Sequence, residues 1–88
     1  MNDAFYHIEF SSQALRDLEK APAHAAARAA AKIKALAENP RPSRCRKLQG
    51  FERRYRVRVG DWRVIYDIYD KALHIIIVSF PPRGSAYD

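Results

Sequence analysis

This sequence offers little to metal or disulfide chemistry. Its 88 residues contain one cysteine, Cys45, and three histidines, His7, His24 and His74, none at a short ligand spacing. An internal disulfide is impossible, and no metal site or cofactor is expected. With only three glycines there is no glycine-rich phosphate loop, and no nucleophile elbow is present. No acidic cluster is suited to Mg²⁺. The longest aliphatic run, Ile75–Val78, is far too short for a bilayer. A basic-then-apolar leader pattern is also missing, so the expectation is a reducing, cytoplasmic setting without membrane association. No internal repeat or low-complexity linker divides the chain. Its length suits one domain over residues 1–88, built around one modest core.

Positive charge is what the sequence does have, and it is concentrated. The net charge is +6, yet the stretch from Arg41 to Arg63 holds nine basic residues against Glu52 and Asp61, a local surplus of seven. The remainder is close to neutral. Charge gathered this way points to a polyanionic partner such as nucleic acid more than to general solubility. Cys45 lies among these charges, but no histidine is near it in sequence to activate it, which makes it a bystander.

Local patterning predicts a strand from Phe5 to Phe10, with Tyr6, Ile8 and Phe10 inward and His7 and Glu9 outward. Ser11 or Ser12 caps a short helix through about Lys20, with Leu15 and Leu18 facing the core. Pro22 suits the first turn of a second, alanine-rich helix whose apolar side is Ala26, Ala29, Ala30, Ile33, Leu36 and Ala37. Asn39-Pro40 ends it, and Arg41 to Gly50 reads as a basic loop. A hairpin follows, then a last strand from Leu73 to Phe80 after a turn at Asp70-Lys71. Pro81-Pro82 stops the sheet and Arg83 to Asp88 trails off. The fold class expected is α+β, in the order β-α-α-β-β-β. Its two helices cover one face of a mainly antiparallel sheet of about four strands and leave the other face open.

The hairpin is the most informative segment. Alternation on both sides of Gly60-Asp61 sets a two-residue loop, pairing Val59 with Trp62, Arg58 with Arg63, Val57 with Val64 and Tyr55 with Tyr66. Arg54 falls opposite Asp67. One face is then apolar or aromatic, while Arg54, Arg56, Arg58 and Arg63 share the other with Ile65 and Asp67. Like charges directly opposite destabilise a sheet. At ~5 Å the repulsion is ~1 kcal/mol in water and ~3 kcal/mol at an effective dielectric of 20. Folding alone gives no reason for Arg58 to face Arg63, whereas an anion does.

RNA is the polyanion that such a site can cleave without a metal, because its own 2′-OH can attack the adjacent phosphate. The reaction needs an acceptor for the 2′ proton, cations around phosphorus and a donor for the departing 5′ oxygen. Planar guanidinium groups match phosphate oxygens in pairs but transfer protons badly. Tyr87 is the better candidate for proton transfer or base stacking, since nearby positive charge lowers a phenol pKa.

The string Tyr55-Arg56-Val57-Arg58-Val59-Gly60-Asp61-Trp62-Arg63-Val64-Ile65-Tyr66 resembles the RelE/ParE superfamily of toxin–antitoxin toxins, together with Leu48-Gln49-Gly50 before it and Arg83-Gly84-Ser85-Ala86-Tyr87 after it. The resemblance covers essentially the whole chain. It implies either of two activities. RelE-type members are ribosome-dependent endoribonucleases that cut mRNA in the decoding A site; ParE-type members share the fold and poison DNA gyrase. The RelE-type basic set falls on Arg56 and Arg58 in the first hairpin strand, Arg63 in the second, and Arg83 with Tyr87 near the end. Arg41, Arg44, Arg46, Lys47 and Arg54 are the accompanying RNA-binding candidates. Where many members have a histidine before the terminal arginine, this chain has Pro82. It also has no carboxylate between Asn39 and Arg46, where another branch carries a glutamate. The group that accepts the 2′ proton therefore stays open. The resemblance further implies a cognate antitoxin, the ribosome and mRNA as partners, with a toxin–antitoxin hetero-oligomer as an option.

Overall fold

A computed structural model describes residues 5–85. Its elements run β1 (His7–Phe10), α1 (Ser12–Lys20), α2 (Ala23–Leu36), β2 (Arg46–Lys47), β3 (Arg54–Val59), β4 (Trp62–Tyr69) and β5 (His74–Ser79). The five strands form one sheet in the order β1-β5-β4-β3-β2. Only β1 runs parallel to its neighbour, β5; the other pairs are antiparallel. The expected order and layering hold, with one strand more than expected. The addition is β2, two residues inside the stretch read as a loop, too short to carry an alternation signal.

Helix α1 starts where Ser11 Oγ accepts the Ala14 N–H at 3.0 Å, and the same hydroxyl donates to the Val78 carbonyl at 2.7 Å. One side chain thus caps the helix and docks it on β5. That phase buries Ala14 and half-buries Leu18, while Leu15, expected to face inward, is 55% exposed. Asp17 secures the far end by accepting the Phe80 N–H at 2.9 Å. In α2 the buried stripe is Ala25, Ala29, Ile33 and Leu36. Ala25 replaces Ala30, which is exposed. In an alanine-rich helix the side chains discriminate poorly between neighbouring phases, so the packing partner decides. These small residues lie on Val57, Val59, Val64, Tyr66, Ile68, Ile75, Ile77 and Phe80. Tyr6 and Ile8 of the first strand also pack on this core, but Phe10 at its end is exposed.

The β4–β5 connection is longer than the expected two residues. Tyr69 pairs His74, which leaves four residues in the turn, and Leu73 takes a left-handed φ of 52° to close it. Ile75 and Ile77 still face the core, because lengthening the loop by an even number preserves which side each residue faces. From Pro81 to Arg83 the chain after β5 folds back on the hairpin. Pro82 bridges Trp62, the Pro81 carbonyl accepts the Arg63 N–H at 2.8 Å, and Arg83 N–H donates to the Asp61 carbonyl at 2.7 Å. Trp62 and Phe80 stack at 5.2 Å beneath this return.

Candidate nucleic-acid interface

The hairpin register is the one its alternation predicts, from Val59 opposite Trp62 down to Arg54 opposite Asp67. Gly60 takes φ +60° and Asp61 does not, the signature of a type II′ turn, whose twist matches the strands it joins. A side chain at Gly60 would also meet the Arg28 guanidinium at 2.9 Å. With the turn set, Arg58 faces Arg63 on the side of the sheet away from the helices. Strand β2 adds a second pair of like charges, because Arg46 lies opposite Arg56.

Arg44, Arg46, Arg56 and Arg58 line a cavity of about 640 Å³, completed by Ser43 and Cys45. Among the described residues, no carboxylate lines it. Four guanidinium groups around one hollow present the paired N–H donors that match an anion with several oxygens. They leave proton transfer to another group, because guanidinium stays charged throughout the physiological range.

The other expected residues are placed elsewhere. Arg54 is held by Asp67 through two bonds, 2.7 and 3.0 Å, with its guanidinium 4.6 Å from the Phe51 ring centroid. Arg41 grips both oxygens of Asp70 at 3.1 and 2.8 Å and donates to the Tyr55 hydroxyl at 3.1 Å. Tyr55 belongs to the helix side, which separates Arg41 from the arginine cavity. Lys47 pairs Tyr55 and donates to the Phe51 carbonyl at 2.7 Å. It too faces away from Arg56 and Arg58.

Arg63 is 3% exposed and Ile65 is fully buried, so the outer face is closed along the first half of β4 rather than open as expected. One Arg63 Nη donates to the Trp62 carbonyl at 3.2 Å. Arg83 is exposed beside the hairpin turn, 3.9 Å from Asp61. Tyr87 lies outside the described residues. Sequence reasoning missed the β2 pairing that brings Arg46 against Arg56. It also read the histidines as scattered, yet His7 and His74 meet beside Glu9 on the outer face.

The Arg41 network has distinct electrostatics. Hydrogen bonds from Arg41 and Tyr6 pull the Asp70 carboxyl down to about 2. The same bond to Asp70 pushes the Tyr6 phenol up. Tyr66, buried in the core, is pushed up by desolvation and then by the neighbouring Cys45.

Residues 8–87 match the family of ParE toxins of type II toxin–antitoxin systems (parDE). Among solved structures, the chain is similar to archaeal RelE in its complex with RelB from Pyrococcus horikoshii OT3, with 31% identity and a TM-score of 0.81 over 93% of this chain and 99% of that one. It is also similar to the RelBE2 toxin–antitoxin complex of Mycobacterium tuberculosis (24% identity, TM-score 0.80, 91% of this chain and 100% of that one). The isolated RelE toxin of E. coli shares the fold at 20% identity and a TM-score of 0.78, over 94% of this chain and 88% of that one. No match was found among curated proteins. The chain belongs to the RelE/ParE superfamily of type II toxin–antitoxin toxins. Among the described residues, no helix is long and apolar enough to cross a membrane.

Proposed function

We propose that this toxin is a RelE-type mRNA interferase, a ribosome-dependent endoribonuclease that cleaves message through attack by the substrate's own 2′-OH. The observation that carries this reading is the cavity lined by Arg44, Arg46, Arg56 and Arg58, with no carboxylate among its described lining residues. Arg56 and Arg58 hold the scissile phosphate and stabilise the charge that builds on its oxygens, while Arg44 and Arg46 grip the flanking backbone. Arg63 supports the hairpin from its buried position, and Arg83 approaches from the turn. Tyr87, carried over from the family resemblance, orients or activates the reacting nucleotide. No metal is needed at the phosphate, since the nucleophile belongs to the RNA. Arg41 and Arg54 are bound to carboxylates of their own chain and serve the fold before they serve RNA.

A cognate antitoxin is part of the proposal, supported by the similarity to RelE captured with RelB. An acidic segment suits the arginine cavity, and the pair can build a larger hetero-oligomer. Ribosome, mRNA and a cytoplasmic setting complete the reading.

On programmed ribosomes, wild-type protein should cleave message in the A site, and Arg58→Ala should slow cleavage by about a hundredfold. Tyr87→Ala should also slow it. Intact message beside inhibited DNA gyrase would instead establish a ParE-type toxin, the second reading, which the ParE family match favours.

A further inference from the structure

His7 and His74 belong to opposite ends of the sequence, yet the parallel pairing of β1 with β5 sets them directly side by side. Glu9, two residues along β1, projects to the same outer face as His7. The imidazole rings are 4.9 Å apart, and His74 Nε2 lies 2.7 Å from Glu9 Oε1. One ligand atom from each of the three residues falls within 4.8 Å of the other two. A tetrahedral zinc ion with ligands at about 2.0–2.1 Å needs donor atoms only about 3.4 Å apart. Donor atoms 4.8 Å apart therefore close by little more than an ångström, while His74 Nε2 and Glu9 Oε1, now 2.7 Å apart, open by less than one. All three are exposed or half-buried, so rotamer adjustment is open to them.

We propose that His7, Glu9 and His74 form a binding site for a divalent transition-metal ion, with zinc the expected occupant. Two imidazoles and one carboxylate are a donor set that zinc takes with a fourth position left for water. Mg²⁺ and Ca²⁺ prefer all-oxygen cages and are poorly served here. The ion takes the place of the direct contact between His74 and Glu9. It fastens β1, a four-residue strand on the sheet's edge, to β5, and so ties the beginning of the fold to its last strand. Three strand spacings, about 14 Å, separate β1 from β3, so the ion is remote from the arginine cavity and takes no part in gripping phosphate. The proposal stands independently of which toxin activity the chain has.

Zinc sulfate titrated into tag-free protein by calorimetry tests the site. Wild type and Cys45→Ser should bind one equivalent with the same affinity. His74→Ala and Glu9→Gln should each weaken binding by about tenfold or more. Zinc should raise the melting temperature of wild type but not of His74→Ala, while circular dichroism checks that each variant is folded. Cobalt(II) in the same site should give the visible absorption of a tetrahedral N/O complex. Absent binding by the folded wild type, or affinity unchanged in both ligand variants, overturns the proposal.

Discussion

Tyr66 carries a hydroxyl into the middle of the core and spends it on the Pro40 carbonyl at 2.7 Å, both residues being buried. That bond closes the chain leaving α2 down onto β4. Replacing Tyr66 with phenylalanine keeps the ring but strands a buried carbonyl, so Tyr66→Phe should lower stability by about 1–2 kcal/mol in urea unfolding. An unchanged midpoint would mean that water satisfies the carbonyl. Arg58 and Arg63 show how different two cross-strand partners can be, since Arg58 is exposed and Arg63 is buried. Alternation alone assigns both to one face. What lies over each of them is a matter of the third dimension.

At the scale of elements, Asp70 links three segments that are far apart in sequence. It accepts from Tyr6, which precedes β1, and from Arg41, in the loop after α2, while sitting itself in the β4–β5 turn. Its folded pKa of about 2 is below its unfolded value of 3.8, so its contribution is complete above about pH 4 and is lost as pH falls through 2. Both partners are substantially exposed, which limits that contribution to about 1 kcal/mol or less. In thermal melts, Asp70→Asn should therefore be less stable than wild type at pH 5 by a few degrees, and the gap should close near pH 2. A gap independent of pH would assign the effect to packing instead. The hairpin register was legible from its alternation and turn, whereas for β5 only the core-facing side was, because period-two patterns survive an even change in loop length but the pairing partners do not. The phase of α2 was less legible, since alanines at neighbouring positions bury nearly equal area.

Across the whole molecule, charge and fold are segregated. The helices and one sheet face enclose the apolar core, and the arginine cavity opens at the β2–β3 edge of the other face. RNA bound there, as the proposed function requires, should show strong salt dependence, because each neutralised phosphate releases counterions. Removing one phosphate contact with Arg56→Ala should reduce the slope of log K against log salt by about 0.7 for single-stranded RNA. Arg54→Ala should leave that slope nearly unchanged, its charge being matched by Asp67. Equal slopes in wild type and Arg56→Ala would remove Arg56 from the phosphate contact.

By itself the sequence determined the order of elements, the hairpin register and the arginines that share its outer face. These follow from local periodicity and turn chemistry, which act between near neighbours along the chain. Only the tertiary structure decided that Arg46 joins Arg56 through β2, that Arg41 and Arg54 are occupied by Asp70 and Asp67, and that Arg63 is buried. The meeting of His7, Glu9 and His74 was likewise decided there. Each depends on which distant strands become neighbours, and that is settled by how the sheet closes around its core.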